Sequence, residues 1–153
     1  GRDRSQKLAI MRDSRIGSYG VLALITIISL RANIMAGFAD NFTTLLIFIA
    51  ASTSSRAFLA FLMYNLQYAR DYGLAVRAGK PDLSDTLISA ALGCATLLLT
   101  GKILAALIAI FALAIIYVII KHITNKNFGG ITGDTLGASQ QISEICLLFL
   151  FIL

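Results

Sequence analysis

The residues best suited to chemistry lie in one polar stretch between two apolar segments, GGITGDTLGASQQISE, which runs from Gly129 to Glu144. Its glycines, Gly129, Gly130 and Gly133, permit positive φ angles and a close approach of backbone N–H groups to an anion. A helix that follows would direct its positive end to the same place. In the first turn of that helix, Asp134 either complements the helix dipole or holds a divalent cation that in turn binds phosphate.

Helical spacing relates Asp134 to two further polar residues. Asp134, Gln141 and Glu144 stand at positions i, i+7 and i+10, which project within about 80° of one another at about 100° per residue. Carboxylates in an apolar helix are costly unless they are used. The spacing therefore predicts a functional polar strip.

A second candidate cluster is RDSR, in which Arg12 and Arg15 flank Asp13. The planar guanidinium fork suits phosphate oxygens, so this composition favours an anion site. The alternative is a basic membrane anchor in which Ser14 or Ser18 caps the first helix. Both readings stay open from the sequence.

Arg56 lies inside an apolar segment, directly after STSS. An arginine at the centre of a membrane helix costs about 2.5–3.5 kcal/mol, so we expect it to face the bundle interior or an aqueous cavity. The residues Ser52 to Ser55 could satisfy a broken backbone there, which would make the helix discontinuous. The alternative is an arginine paired with backbone carbonyls. Arg31 lies near enough to the end of its segment to snorkel.

Composition indicates the elements that must position these residues. The chain has 153 residues, of which 58% are hydrophobic and 14% charged, whereas soluble domains average about 45–50% and about 25%. This favours an all-α polytopic membrane bundle that forms one domain over residues 1–153. The net charge of +5 comes from residues at the ends of apolar runs, a pattern that does not suit nucleic-acid binding.

About five segments are apolar enough to cross a bilayer, at about 20 residues each. They cover about 17–38, 42–69, 84–100 and 103–120, and a last one from Gly133 or Asp134 to Leu153. Cytoplasmic loops carry excess Lys and Arg, and alternate connections do so here. We therefore expect three connections to face the cytoplasm. The one before the first segment contains Arg2, Arg4, Lys7, Arg12 and Arg15. The one between the second and third segments contains Arg70, Arg77 and Lys80, and the one between the fourth and fifth contains Lys121 and Lys126. The opposite connections contain only Lys102.

Three stretches, in this order and spacing, resemble the cobalamin synthase family of adenosylcobinamide-GDP ribazoletransferases. They are IMRDSRIGSYGVLAL (Ile10 to Leu24), SRAFLAFLMYNLQYARDYGLA (Ser55 to Ala75) and GGITGDTLGASQQISE (Gly129 to Glu144). The resemblance implies an integral enzyme of the bacterial inner membrane that uses Mg²⁺. It implies a phosphodiester-forming transferase that joins adenosylcobinamide-GDP to α-ribazole or its 5′-phosphate and releases GMP.

The resemblance also implies roles for individual residues. Asp134 would be a carboxylate at the metal or phosphate site, and Glu144 a supporting acid. A polar cluster at the nucleotide would comprise Arg12, Asp13 and Arg15. Arg56 would lie near the diphosphate, and the glycines near the phosphates.

The sequence departs from the family in one respect. Members carry an acidic motif of the type D-G-L-A-D-T-A-D-G shortly before the segment with which this chain begins, and this chain lacks it. Its first residue is Gly1, so we expect a C-terminal fragment that is inactive alone. The oligomeric state, including a homo-oligomer, stays open.

Two other functions would account for parts of the sequence. A phosphotransferase of the CDP-alcohol type would show a D-G-x-x-A-R run, which is absent. A transporter would use Arg31 and Arg56 along a substrate path, but it would also need polar residues in the fourth segment, where 103–120 offers none.

Overall fold

The computed structural model describes residues 3–13, 15–38 and 42–152. Expectations that involve Arg2, Ser14 and Leu153 fall outside these ranges. The described residues form helices only, apart from one isolated parallel β-bridge between Tyr68 and Ile131. The helices are α1 (Arg4–Ile10), α2 (Ser18–Ala36), α3 (Phe42–Asn65), α4 (Leu74–Ala78), α5 (Leu83–Leu99), α6 (Ile103–Phe128) and α7 (Gly133–Ile152).

The predicted all-α polytopic bundle is confirmed. Four helices, α2, α3, α6 and α7, are long and apolar enough to cross a membrane. The remaining apolar helix, α5, has 17 residues, which is at the lower end of the roughly 17–25 that spanning helices need. The protein is therefore a membrane protein by the length and composition of its helices.

Two expectations about α3 are wrong. The helix is continuous through the STSSR stretch, because its polar groups bond within the helix: the Ser55 hydroxyl and the Arg56 guanidinium both donate to the Ser52 carbonyl, at 3.1 and 2.9 Å. Such bonds satisfy polar side chains without breaking the backbone ladder. The helix also ends at Asn65 instead of near Ala69, since Gln67 and Ala69 bond to Ile131, in the turn before α7.

Helix α3 is the central element and packs against both α5 and α7. Its approach to α5 depends on small residues, as is usual for membrane helices. A Cβ on Gly93 would lie 3.0 Å from the Cβ of Ala57, and the Ser54 hydroxyl donates to the Gly93 carbonyl at 2.9 Å. These contacts bring the two backbones close together.

The helices alternate in direction, which sorts their ends into two groups. At one end, the Lys102 ammonium before α6 donates to the Phe151 carbonyl near the end of α7, at 2.8 Å. At the other end, the C-termini of α3 and α6 meet the N-terminus of α7 above a buried cluster of Phe58, Leu62, Leu66, Ile120, Ile131 and Leu136. This apolar cluster supports the polar residues described next.

Ser18 does not cap the first membrane helix, and Ser14, the other residue expected there, lies outside the described ranges. Gly17 is the N-cap of α2, Ser18 is its first helical residue, and no side chain among the described residues caps it. Helix α5 does have a side-chain cap, because the Asp82 carboxylate accepts from the backbone N–H of Asp85 at 2.7 Å. Capping carboxylates at this position are a common way to satisfy the first free N–H groups.

Candidate functional site

A glycine turn joins α6 to α7. Gly129 ends α6 with a φ of 72°, and Gly130 follows with a φ of 157°. The N–H of Gly129 donates to the Asn125 carbonyl at 3.1 Å, and that of Gly130 to the Thr124 carbonyl at 3.4 Å. Both residues need the backbone freedom of glycine, as predicted. Their N–H groups, however, close the end of α6 instead of facing an anion.

Gly130 also lets the turn contact the segment after α3. A Cβ on Gly130 would overlap the carbonyl of Gln67. Beside this contact, the Ile131 N–H donates to the Gln67 carbonyl and the Ala69 N–H donates to the Ile131 carbonyl, each at 2.8 Å. These bonds fasten residues 67–69 to the turn, so two distant parts of the sequence form one structural unit.

The start of α7 is fixed by two threonines. The Thr132 N–H donates to the Thr135 hydroxyl at 2.8 Å, and the Thr135 N–H donates to the Thr132 hydroxyl at 3.2 Å. This reciprocal arrangement resembles a capping box. Gly133 is the first residue of α7 and, unlike Gly129 and Gly130, does not use the positive φ that glycine permits. Asp134 is exposed in the first turn of α7.

A pocket of about 200 Å³ lies between the glycine turn and the segment after α3. It is lined by Asp134, the one acidic residue of the first turn of α7, and by Arg70. Its lining comprises Tyr68, Arg70, Tyr72, Gly73, Ala75, Val76, Ile131, Thr132, Gly133 and Asp134. Because a cation, a carboxylate and a helix N-terminus converge there, the pocket suits a ligand that carries phosphate.

Arg70 is held in place by α1. One guanidinium nitrogen, Nη2, donates to the Leu8 carbonyl at 2.7 Å. The Nε atom is buried without a hydrogen-bond partner among the residues that the structure describes. Helix α1 is itself attached to α6, since the Lys7 ammonium donates to the Asn127 side-chain oxygen at 2.6 Å. The N-terminal segment thus orients an arginine that forms part of the pocket wall.

The two tyrosines of the pocket have different partners. Burial raises the pKa of the Tyr68 hydroxyl above its ordinary value of 10.0, so this group stays protonated at neutral pH and donates to the Gly79 carbonyl at 3.0 Å. The ring of Tyr72 lies under Arg12, whose guanidinium carbon is 4.5 Å from the ring centroid. This cation–π contact brings a second guanidinium to the mouth of the pocket.

Asp13 and Arg15, the other members of the predicted cluster, bond to each other. Arg15 Nη2 lies 2.7 Å from the Asp13 carboxylate, and their side chains are 89% and 40% exposed. The guanidinium and the backbone N–H of Arg15 lower the pKa of Asp13, and Asp13 raises that of Arg15. This exposed pair is well screened by water. Of the RDSR cluster, Arg12 therefore has the closest connection to the pocket.

The structure brings the three polar segments to one end of the bundle, as the sequence predicts. Arg12 contacts Tyr72, Arg70 bonds to the Leu8 carbonyl, and Tyr68 bridges to Ile131. The contacts join the segment before α2, the segment after α3 and the glycine turn.

Two predicted phosphate-site residues lie elsewhere. Arg56 is exposed on α3 and bonds to the Ser52 carbonyl, so the expectation that it faces the interior is wrong and the alternative of a backbone partner is confirmed. Glu144 is buried in the middle of α7, about 15 Å along the helix from Asp134 at about 1.5 Å per residue. Its carboxylate accepts from Arg31 and Ser52. Asp134 and Glu144 therefore occupy separate places.

A larger cavity of about 370 Å³ lies between α3, α5 and α6. Its wall is almost entirely apolar and includes Phe58, Phe61, Leu97 and Leu113. A phosphate group would lose its hydration there without gaining charged partners. The smaller pocket beside Asp134 is therefore the candidate site.

Comparison with known proteins places this architecture in a family. The family model described as cobalamin-5-phosphate synthase matches residues 1–152. The chain belongs to the cobalamin-5-phosphate synthase family. This confirms the resemblance found in the sequence, and the family is not that of the transporter or CDP-alcohol alternatives.

Curated members of the cobalamin-5-phosphate synthase family carry a more specific name. The chain is 39% identical over 148 residues to the adenosylcobinamide-GDP ribazoletransferase of Mesorhizobium japonicum, and 39% identical over 151 residues to that of Bradyrhizobium diazoefficiens. It is 38% identical over 160 residues to the protein of that name from a Sinorhizobium species. No solved structure matches the chain.

These alignments cover unequal shares of the two proteins. Each covers 97% of this chain, but only 57% of the first two relatives and 60% of the third. The chain thus spans somewhat more than half the length of the curated relatives that it matches.

The resemblance to cobalamin synthases implies Mg²⁺, and among the residues that line the pocket Asp134 carries the one carboxylate that could bind it. Within residues 3–13, 15–38 and 42–152, no three His, Cys, Asp or Glu side chains are grouped to hold a metal ion. Mg²⁺ commonly keeps several waters and binds one or two carboxylates together with substrate phosphates. Asp134 fits one such ligand position, and the described residues alone do not form a complete protein cage.

Sequence reasoning missed Arg70, Tyr68 and Tyr72 as members of the site. The sequence pattern indicates Arg70 only as one of the loop cations that set the orientation in the membrane. The signal was present in the run YARDY, where an arginine stands between two aromatic residues directly after a membrane segment. Only the bridge between Tyr68 and Ile131 brings this run to the pocket that Asp134 also lines.

Proposed function

We propose that the protein containing this chain is an adenosylcobinamide-GDP ribazoletransferase. The observation that carries the proposal is the pocket in which Asp134, Arg70 and the N-terminus of α7 converge beside the Arg12–Tyr72 contact. These groups are of the type that binds phosphates and neutralises their charge. The family membership and the names of the relatives support this choice of substrate.

The proposed reaction makes one phosphodiester and breaks one phosphoanhydride. A ribose hydroxyl of α-ribazole, or of its 5′-phosphate, attacks the phosphorus next to cobinamide. The new P–O bond joins the two substrates, the bond to the bridging oxygen breaks, and GMP leaves with that oxygen. The hydroxyl proton is released. Transfer of this kind depends mainly on positioning and on charge neutralisation.

Asp134 is the proposed catalytic carboxylate. It accepts the hydroxyl proton or serves as one ligand of Mg²⁺. When bound, Mg²⁺ would neutralise phosphate charge. Arg12 stabilises the nucleotide phosphates from the pocket mouth. Asp13 and Arg15 belong with Arg12 to the proposed polar cluster at the nucleotide. Arg56 and Glu144 bond to other parts of the bundle, so the proposed step does not use them.

The proposed location is the bacterial inner membrane, with the pocket on the cytoplasmic face. The described end of the bundle that contains the pocket carries Lys7, Arg12, Arg70, Arg77 and Lys126, whereas Lys102 lies at the opposite end. Short loops rich in Lys and Arg are retained in the cytoplasm. Soluble nucleotide substrates would therefore have direct access to the pocket.

A membrane assay tests the function. The product of the complete reading frame that encodes this chain is expressed in membranes and supplied with adenosylcobinamide-GDP, α-ribazole and Mg²⁺, and GMP release is measured. We expect release that depends on α-ribazole, and a loss of about 100-fold or more in Asp134→Asn, as for a removed transition-state group.

The matched control is Asp85→Asn. Asp85 is an exposed aspartate in the first turn of α5, so it also complements a helix dipole, but it is not part of the pocket wall. GMP release should stay near the wild-type rate in this variant. Full activity in Asp134→Asn, or substrate uptake without GMP release, would contradict the proposal.

A further inference from the structure

Arg70 is a polar group that the fold holds in place and leaves incompletely paired. Its Nη2 is anchored by the Leu8 carbonyl at 2.7 Å, and its Nε is buried without a partner among the described residues. Buried guanidinium donors are normally satisfied, and the side chain that carries this unused donor belongs to a residue that lines the pocket. The acceptor that best matches the guanidinium fork is a phosphate or carboxylate oxygen.

The size of the pocket narrows the class of ligand. At about 200 Å³, it is smaller than the roughly 300–1,000 Å³ of pockets that enclose whole small molecules. It can therefore accept a phosphate or diphosphate group while the rest of a large substrate stays outside. The bulky corrinoid and the nucleoside would extend from the pocket mouth, where the Arg12–Tyr72 contact lies.

The charges around the pocket also favour an anion that offers several oxygens. Asp134 already supplies one negative charge, and Asp71 is an exposed neighbour of Arg70 in the chain. An anion must therefore be bound mainly by guanidinium groups and by the first free N–H groups of α7. A diphosphate offers several oxygens that can contact Arg70 and Arg12 at once.

We propose that Arg70 binds the diphosphate of the nucleotide-activated substrate, with Leu8 fixing the orientation of its guanidinium. This proposal rests on the proposed function for the identity of the substrate. It assigns to Arg70 a direct phosphate contact that the sequence motifs did not indicate. It also gives α1 a role, because the carbonyl of Leu8 directs the arginine into the pocket wall.

The first experiment measures binding without catalysis. The full protein in neutral-lipid nanodiscs is titrated with GDP, by calorimetry, in Arg70→Gln and Arg70→Lys beside the wild type. Hydrogen bonds to charged groups have a strength that corresponds to about 10- to 100-fold in affinity. We expect Arg70→Gln to weaken GDP binding by about that factor and Arg70→Lys by less, because lysine keeps the charge but loses the fork.

Two controls separate a phosphate contact from a structural role. Arg77→Gln removes an exposed cation from the same segment, outside the pocket wall, and should leave GDP binding unchanged. Lys7→Met removes the bond between α1 and Asn127 but leaves Arg70 in place, so GDP binding should fall much less than in Arg70→Gln. Equal losses in Lys7→Met and Arg70→Gln would overturn the proposal in favour of a purely structural Arg70.

Enzyme kinetics supply an independent readout. In the GMP-release assay, Arg70→Gln should raise the KM for adenosylcobinamide-GDP by about 10-fold or more, while the KM for α-ribazole stays unchanged. If the wild type releases GMP but Arg70→Gln keeps the wild-type affinity for GDP, the role of Arg70 is wrong and the proposed function stands. If the wild type binds GDP through Arg70 without releasing GMP, the diphosphate contact stands and the proposed function fails.

A phosphate can also come from a lipid headgroup, and the lipid composition distinguishes this source. The titration is repeated in nanodiscs that contain anionic phospholipid. We expect GDP affinity to change little after correction for ionic screening. If anionic lipid displaces GDP from the wild type but not from Arg70→Gln, Arg70 binds headgroup phosphate and the nucleotide proposal is overturned.

Discussion

Arg31 and Glu144 form an ion pair between α2 and α7, with Arg31 Nη2 2.5 Å from Glu144 Oε1. The same carboxylate accepts from the Ser52 hydroxyl at 2.9 Å and from the Gln140 amide at 2.5 Å. Helix α2 has only one buried residue, Ile34, among its own positions. The pair is therefore a polar connection that holds α2 against the bundle, and Arg31 reaches α7 instead of snorkelling to the end of its span.

Removal of one partner of this pair should destabilise the protein. The side chain of Glu144 is 3% exposed and that of Arg31 is 37% exposed, so Glu144→Gln leaves a partly buried cation unpaired. We expect a loss of about 3 kcal/mol in the free energy of unfolding, at the low end for a broken buried pair. Denaturant unfolding in detergent micelles, followed by helical circular dichroism, measures it.

The Arg31→Gln and Glu144→Gln double variant completes the cycle. It should be more stable than the sum of the two single changes predicts, because neither charge is left alone. Asn33→Leu is the control on α2, since the Asn33 amide donates to the Ser29 carbonyl of its own helix. Strictly additive losses would show that the pair is not coupled.

Gly130→Ala tests the contact between the glycine turn and the segment after α3. The new methyl group would overlap the Gln67 carbonyl, so the turn must move and the Tyr68–Ile131 bridge must weaken. We expect a loss of about 1–3 kcal/mol in stability, as for other overpacked sites, and lower GMP release. Thermal unfolding of the purified protein and the membrane assay measure the two effects.

Gly137→Ala is the matched control, because Gly137 lies within α7 with no atom near its added Cβ. Alanine is about 1 kcal/mol better than glycine in a helix, so this variant should be slightly more stable than the wild type. A Gly130→Ala protein with wild-type stability would contradict the close contact.

Tyr72 should matter through its ring and not through its hydroxyl. Tyr72→Leu removes the surface on which Arg12 rests, and we expect kcat/KM for GMP release to fall about 2- to 5-fold, as for the loss of an exposed cation–π contact. Tyr72→Phe keeps the ring and should restore most of the activity. Equal activity of the leucine and phenylalanine variants would show that the position of Arg12 does not depend on the ring.

The cap of α5 should make stability depend on pH. Hydrogen bonds from the Asp85 N–H and then from the Ser84 hydroxyl hold the pKa of Asp82 below its ordinary value of 3.8. A carboxyl whose pKa is lower in the folded state contributes stability above the unfolded pKa and loses it as the pH falls through the folded pKa. Asp82→Ala should therefore lower the Tm at pH 7, and this difference should shrink at acidic pH.

Asp82→Asn separates charge from capping. Asparagine caps helices about as well as aspartate but does not titrate, so its Tm should stay close to the wild type at pH 7 and lack the pH dependence assigned to Asp82. If Asp82→Ala lowers the Tm by the same amount at every pH, the charge of the carboxylate contributes nothing to stability.

Patterns local to the sequence determined much of this protein. The length and apolarity of α2, α6 and α7 made them membrane helices, because a helix that crosses the bilayer satisfies its own backbone hydrogen bonds. The alternating Lys and Arg predicted that the segments around Arg12, Arg70 and Gly129 share one end of the bundle, which the structure confirms. The glycine pair and the position of Asp134 in the first turn of α7 follow from local backbone chemistry.

Only the tertiary structure decided which side chains meet. Helical periodicity shows how residues are arranged around one axis, but not which neighbouring helix each face contacts. For that reason the spacing of Asp134 and Glu144 predicted one strip, whereas Glu144 turns to Arg31 and Ser52 in the bundle. Arg70 gained its place beside Asp134 through the backbone bonds of Ile131, a contact between remote segments that no local pattern specifies.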